Sequence, residues 1–236
     1  MASRLPELKR EFIITIDGPI GSGKSSVAQI CVDLFGMAHL DITRLYKTVA
    51  YLWEHQPGVS WEDLANQAIN HYVPDSELID WSFWGKAVGV SKIKIVNEII
   101  TDHARAFTFA NPQSVIEGID VGSIISWADL KILCVAPLMI RRDRVYAKMV
   151  TYSQLKFKFT PEEFLVSLCE RDHLEGYGLM PETFWINSPM RNGVVFPTHG
   201  ICNTHFPDRV INLLNASGAF KMVCGHRVTP LWCPPT

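Results

Sequence analysis

The sequence predicts an α/β fold in three layers, with helices on both faces of a central, mainly parallel sheet. Apolar runs of strand length recur at residues 12–16, 114–118 and 130–136, and strands buried on both faces have this composition. Segments with helical spacing separate the runs, an alternation typical of parallel sheets. A glycine-rich turn joins the first run to the first helix. We therefore expect the remaining elements to be arranged around that junction.

Composition favours one globular domain spanning residues 1–236. The chain is 47% apolar and 19% charged, with a net charge of −2, which is ordinary for a protein with one sizeable core. This balance indicates neither a nucleic-acid nor a membrane partner, and no apolar run reaches the roughly 18–20 residues of a spanning helix. We expect a cytoplasmic monomer that binds only small molecules and keeps its six scattered cysteines reduced. Cys224, His226 and Cys233 match no zinc spacing.

The glycine-rich turn carries the first functional signal. Its pattern, Gly18-x-x-x-x-Gly23-Lys24-Ser25, is that of the Walker A loop, or P-loop. Glycines let several backbone N–H groups face one anion, and the following helix directs its positive end there. A lysine then reaches the β- and γ-phosphates, while a serine hydroxyl can ligate Mg²⁺. The residues predicted to bind a nucleoside triphosphate are Gly18, Pro19, Ile20, Gly21, Ser22, Gly23, Lys24, Ser25 and Ser26.

The second strand-like run ends in an acidic residue, Glu117. The carboxyl ends of parallel strands meet at one edge of a sheet, where ligands bind. Glu117 is thus predicted to join Ser25 at the Mg²⁺ site; a solvated strand-end glutamate is the alternative.

The remaining runs complete the predicted sheet. Residues 130–136 form another strand, followed by a basic helix that begins in "PLMIRRDRVYAKM". A further apolar strand is expected within residues 193–203, in "GVVF" or "GICN", and "PDRVINLLNA" closes as a helix.

Two stretches are predicted to be insertions. Residues 56–91 form a lobe with a helix capped by Ser60 and a small hairpin around Gly85 and Lys86, suggested by alternation in "IDWSFWGKAVGV". Residues 146–161 form a basic lid segment, and Pro161 is suited to the first position of the next helix.

These residues together carry a resemblance to the bacterial cytidylate kinases, which are P-loop nucleoside monophosphate kinases. "TIDGPIGSGKSS" is similar to that family's phosphate loop, "LDITRLYKTVA" to its LDxGxxYRxxA segment and "IEGIDVGSIISWADLKI" to its DGRDxGTVVFPDADLKI stretch. "CERD" resembles a helix near the lid, and "ICNTH" a late strand ending in a turn. The order holds from about residue 11 to residue 215.

The resemblance implies phosphoryl transfer from ATP, with Mg²⁺, to a nucleoside monophosphate, with CMP or dCMP as the expected acceptor. It assigns catalytic roles to Lys24, Arg141, Arg144 and Arg171. It assigns acceptor binding to the inserted lobe of residues 56–91 and to Asp41, Thr43, Tyr46, Lys47, Asp120 and Arg171. For Asp120, capping of the next segment is the structural alternative. His39 is expected to be a surface residue at a strand end.

The sequence departs from the family on the acceptor side. Lysine stands at position 47, isoleucine at 119 and asparagine at 97 where the family has arginines, and the lid arginine aligns with Gly178. Ile42 replaces a serine, with Thr43 adjacent, and Glu175 takes the place of an aspartate. The cations that could compensate are Arg44, Lys86, Lys92 and Lys94.

Three hypotheses follow. The chain is a CMP-type kinase with a diverged acceptor pocket, a P-loop kinase for another small acceptor such as a nucleoside or metabolite, or a nucleotide-binding relative without catalysis. Fewer arginines suit an acceptor without phosphate, whereas Lys24, Ser25 and Glu117 argue for chemistry.

Overall fold

A computed structural model describes residues 9, 11–78, 81–153, 159–175, 193–198 and 205–218. Its sheet has five parallel strands in the order β2-β3-β1-β4-β5. The strands are β1 (Phe12–Asp17), β2 (Ala38–Asp41), β3 (Gln113–Glu117), β4 (Leu130–Val135) and β5 (Gly193–Pro197). The predicted α/β class with a parallel sheet is confirmed.

Helices connect the strands and cover both faces of the sheet. Those in the described ranges are α1 (Lys24–Phe35), α2 (Ile42–His55), α3 (Trp61–Asn70), α4 (Asp75–Leu78), α5 (Trp81–Ser91), α6 (Lys94–Ala110), α7 (Val121–Ile124), α8 (Leu138–Ser153), α9 (Pro161–Leu174) and α10 (Phe206–Ala216). Across these ranges, none is long and apolar enough to cross a lipid bilayer.

The register of the sheet brings acidic residues to one edge. Ile16 of β1 and Asp41 of β2 both pair with Glu117 of β3, and Asp17 ends β1. All strands run in the same direction, so these carboxyl ends lie together beside the loop that follows β1. The site is built at this edge.

Three apolar clusters hold the layers together. On one face of the sheet, α2, α3, α5 and α6 pack through residues such as Val49, Leu64 and Ile100, all fully buried. On the other face, α1 and α10 pack against β1, β3 and β4. A third cluster, which includes Ile20 and Phe164, joins the loop after β1 to α5, α8 and α9. The third cluster therefore packs the phosphate loop against α5, α8 and α9.

Residues 56–91, predicted to be an insertion, contain three helices joined by short loops in their described part, and the predicted hairpin around Gly85 and Lys86 is wrong. These residues lie inside α5. Phe83 and Ala87 face the first cluster, while Trp84 faces the third. An i, i+4 spacing toward one core requires a helix, and this packing outweighs the low helix propensity of two glycines.

Several local predictions are confirmed. Ser60 caps α3 by accepting a hydrogen bond from the Asp63 amide, and Pro161 begins α9 after a Thr160–Glu163 capping box. "GVVF" forms β5 and "PDRVINLLNA" lies in α10. "GICN", most of "ICNTH", Gly178, part of the lid segment and nearly all of the tail lie outside the described residues.

Candidate active site

The phosphate loop, residues 18–26, has the strained backbone that its glycines predict. Gly18 has φ +141°, and a Cβ added there would lie 2.3 Å from the Cys134 carbonyl oxygen. Gly23, with φ +93°, is the N-cap of α1 and offers no side chain to cap it. The first amides of α1 therefore face the loop without a side-chain acceptor, which creates an anion site at the positive end of the helix.

Lys24 lies across the mouth of this loop. Its ammonium donates hydrogen bonds to the carbonyl oxygens of Gly18, at 2.5 Å, and Pro19, at 3.1 Å. The side chain also lines the adjoining cleft. Because both of these acceptors are backbone carbonyls, the flexible side chain can move its charge toward a bound phosphate at little cost.

Ser25 and Glu117 meet as predicted. The Ser25 hydroxyl donates to Glu117 Oε2 at 2.8 Å, and His39 Nε2 lies 2.9 Å from Glu117 Oε1. The carboxylate is 2% exposed. His39 thus contacts the predicted metal ligand Glu117 directly, which the sequence did not predict. Burial opposes its protonation, but the Glu117 hydrogen bond and charge, aided by Asp41, raise the pKa of His39 above its ordinary value.

This pair of oxygens fits a magnesium ion. Mg²⁺ prefers hard oxygen ligands and is bound by one or two protein groups plus phosphates. A serine hydroxyl and a buried carboxylate within hydrogen-bond distance, beside an anion site, supply such ligands. Ser25 and Glu117 are the residues that would hold it.

A cleft of about 880 Å³ extends from the loop to Trp84 of α5. It is large enough for a nucleotide-sized ligand. Of the residues predicted from sequence, its wall contains Ile20, Gly21, Gly23, Lys24, Ser25, Ser26, Asp41, Thr43, Lys47, Glu117, Arg144 and Arg171.

A second cavity of about 260 Å³ adjoins the cleft, and Thr43, Ile119, Arg171 and Glu175 line both. Tyr46 and Asp120, two further predicted acceptor residues, lie in its wall. The two cavities are therefore neighbours that share part of one wall, between the phosphate loop and α5. We call the second cavity the side pocket.

The side pocket is polar on one wall. The Tyr46 hydroxyl accepts a hydrogen bond from Asn97 Nδ2 at 3.1 Å, and burial raises the pKa of Tyr46 to about 12, with this bond acting in the opposite direction. Asp120 has φ +58° and its side chain makes no capping hydrogen bond to α7. Asp17 instead accepts from the Val121 and Gly122 amides, both at 2.9 Å. Asp120 thus lines the pocket without capping the helix that follows it.

Arg171 and Glu175 form a buried pair where the two cavities meet. Arg171 Nε and Nη2 both contact Glu175 Oε1, at 2.6 and 2.5 Å, and both side chains are under 10% exposed. Among the described residues, Arg171 Nη1 and Glu175 Oε2 are buried without a hydrogen-bond partner. Buried polar atoms are normally satisfied, so this pair offers one donor and one acceptor to a ligand.

Arg141 and Arg144 occupy different positions. Arg141 makes a two-pronged ion pair with Asp172, at 3.0 and 2.5 Å, and donates to the Ile20 carbonyl at 3.1 Å. It lines neither cavity. Arg144 lines the cleft and donates to the carbonyl oxygens of Gly21, at 3.1 Å, and Thr198, at 2.8 Å. The geometry thus suits Arg141 to bracing the loop and Arg144 to contacting a ligand.

Comparison with known proteins agrees with this geometry. The sequence model described as cytidylate kinase matches residues 14–177. The chain belongs to the cytidylate kinase family. It is 28% identical over 183 residues to the cytidylate kinase of Fusobacterium nucleatum, covering 70% of this chain and 81% of that protein. It is 30% identical to the enzyme of Pseudothermotoga lettingae over 68% and 77% of the two chains. A relative from Thermotoga sp., 27% identical, is matched over 96% of its length.

One solved structure agrees with this chain on the fold. The crystal structure of TT1252 from Thermus thermophilus superposes with a TM-score of 0.50 at 21% identity, covering 88% of this chain and 98% of that one. At such identity the likeness establishes the fold alone.

The cations suggested as replacements for the family's arginines mostly point elsewhere. Arg44 pairs with Asp75, Lys86 with Glu54, and Lys94 approaches Glu98 at 3.7 Å. Lys92 is the exception, because it lines the side pocket.

The cleft also contains residues that sequence reasoning missed. Lys148 and Trp84 line it, and so does Thr198, whose hydroxyl donates to the Ser22 carbonyl at 2.5 Å. Lys148 falls within the predicted basic lid segment, and the charge of that segment is its sequence signal. No motif in the sequence marks Trp84 or Thr198 as residues of the cleft.

Proposed function

We propose that the chain transfers the γ-phosphoryl group of ATP to a nucleoside monophosphate, with CMP or dCMP as the first candidate acceptor. The observation that carries this proposal is that the two cavities lie side by side and share lining residues. The cleft begins at Lys24 and Ser25, and the side pocket ends among Tyr46, Asn97 and Asp120. One ligand on the phosphate loop and a second in the side pocket would present their phosphates to each other in the shared cleft.

The donor side needs few groups. The amides at the start of α1 and the Lys24 ammonium would bind the triphosphate, while Ser25 and Glu117 would hold Mg²⁺. The ion would supply positive charge that offsets the negative charge of the phosphates. His39 keeps the Glu117 carboxylate turned toward Ser25 through its 2.9 Å contact with the opposite oxygen.

The acceptor side supplies the remaining charge. Arg144, Arg171, Lys47 and Lys148 lie around the cleft and would stabilise the negative charge that spreads over the transferred group. Transfer requires alignment and charge neutralisation more than a strong base, because the transition state is loose. Most of the acceleration is expected to come from bringing two phosphates together in a site that excludes water.

A second candidate is a kinase for a small acceptor without a phosphate. Ile119, which stands where the family has an arginine, lines both cavities and contributes no charge. This thinning of positive charge favours an acceptor that carries less negative charge.

The test is an ADP-release assay with CMP, dCMP, UMP, AMP, GMP and cytidine as acceptors. We expect turnover with CMP or dCMP, and we expect Lys24→Ala to abolish it. Phosphorylation of cytidine without CMP would favour the second candidate. ATP binding without turnover on any acceptor would favour a nucleotide-binding protein without catalysis.

A further inference from the structure

Lys47, on α2, lies in an unusual setting within the cleft wall. Its ammonium nitrogen lies 3.6 Å from the centre of the Trp84 ring. Among the described residues, this ammonium has no hydrogen-bond acceptor and no ion-pair partner. The Trp84 ring is held in place, since its Nε1 donates to the Leu78 carbonyl at 3.0 Å. A fixed aromatic face is therefore the nearest support of this ammonium.

The charges around Lys47 oppose one another. Lys24, Lys148 and Arg171 repel a further positive charge, and Asp41 attracts it. Arg171 also lies over the Trp84 ring, at 5.4 Å, so two cations share one aromatic side chain. The ionisable groups that line this wall, taken over every element that packs there, are Lys24 of α1, Asp41 of β2, Glu117 of β3, Arg144 and Lys148 of α8, and Arg171 and Glu175 at the end of α9.

This balance leaves the charge of Lys47 marginal. Burial, followed by the repulsion of Arg171, Lys148 and Lys24, lowers its pKa to about 7, even though Asp41 raises it. An arriving phosphate would add two negative charges to a wall where cations outnumber anions, and it would stabilise the protonated ammonium.

We propose that Lys47 is a proton-linked anchor for the acceptor's phosphate, so that acceptor binding is accompanied by uptake of one proton at Lys47 Nζ. The proton comes from solvent, and no other bond forms or breaks. This inference rests on the proposed function, and it sets the pH range in which the acceptor binds well. An arginine at this position would be permanently charged and would bind without proton uptake.

The experiment measures KM for CMP and for ATP between pH 7 and pH 9, with Lys47→Arg beside the natural chain. The second phosphate pKa is about 6, so CMP itself does not titrate in this window. We expect KM for CMP to rise about tenfold per pH unit once the pH exceeds the pKa of Lys47 in the protein without bound acceptor. KM for ATP should change much less. Lys47→Arg should flatten the CMP profile. Lys86→Arg, which alters a lysine outside both cavities, should keep it.

Calorimetry gives a readout independent of turnover. Titration of CMP at pH 8 in two buffers of different ionisation enthalpy should show uptake of close to one proton in the natural chain and close to none in Lys47→Arg. Equal uptake in both variants, or a CMP profile as flat in the natural chain as in Lys47→Arg, would overturn the inference while leaving the proposed function intact. Absence of both CMP binding and turnover would overturn the proposed function and the inference together.

Discussion

The buried ion pair between Arg141 of α8 and Asp172 of α9 offers a sharp test of how the phosphate loop is supported. Both side chains are 7% exposed, and two hydrogen bonds join them. Arg141 also donates to the carbonyl oxygens of Ile20 and Ala136, at 3.1 and 3.2 Å. Removing one partner leaves a buried charge without compensation, which typically costs about 3–5 kcal/mol. We therefore expect Arg141→Met and Asp172→Leu each to lower the free energy of unfolding by about that amount.

The assay is urea unfolding of both single variants and the double variant. In the double variant neither charge remains, so its cost should fall short of the sum by about 1–3 kcal/mol. Arg142→Met is the control on the same helix, because Arg142 pairs with Asp143, which is 64% exposed, and such surface pairs contribute about 0–1 kcal/mol. If Arg141→Met unfolds like Arg142→Met yet loses turnover, Arg141 acts on the phosphates and the reasoning about bracing is wrong.

Three further predictions concern the edge of the sheet. Gly118→Ala should cost about 1–3 kcal/mol in urea unfolding, because its Cβ would lie 2.3 Å from Ile42 Cγ1; Gly85→Ala, whose Cβ meets nothing within 4 Å, should not destabilise. Burial raises the pKa of Asp17 to about 7, although the hydrogen bonds from the Gly122 and Val121 amides lower it. The folded protein therefore keeps a proton on Asp17 that the unfolded chain loses, and the free energy of unfolding falls as pH rises from about 4 to 7. The cost of Asp17→Asn should then be about 2 kcal/mol smaller at pH 8 than at pH 5, and an equal cost would refute this. His39→Ala should raise the Mg²⁺ concentration needed for tight ATP binding several-fold in calorimetry, with His39→Gln closer to the natural chain; no change in either variant would contradict a positioning role.

Much of the donor side is predictable from sequence because its determinants are local. Gly18, Gly23, Lys24 and Ser25 lie in one turn, and the strand before it and the helix after it are each recognisable alone. Glu117 is predictable once the sheet is taken as parallel, since strand ends then meet at one edge.

The rest depends on contacts between distant residues. The pairing of Arg141 with Asp172 spans 31 residues, and that of His39 with Glu117 spans 78; neither leaves a periodic signal. The α5 segment is short, aromatic and rich in glycine, so its pattern fits a hairpin as well as a helix, and only packing against two clusters decides. The stacking of Lys47 on Trp84 likewise requires α2 and α5 to be placed side by side.

The most direct test of the central claim is transfer of labelled phosphate from [γ-³²P]ATP, with Mg²⁺, to CMP. The structure predicts label in CDP for the natural chain and none for Lys24→Ala, which lacks the cation at the mouth of the phosphate loop. If no labelled phosphate is transferred from ATP to any nucleoside monophosphate, or if Lys24→Ala transfers it at an unchanged rate, the account is contradicted.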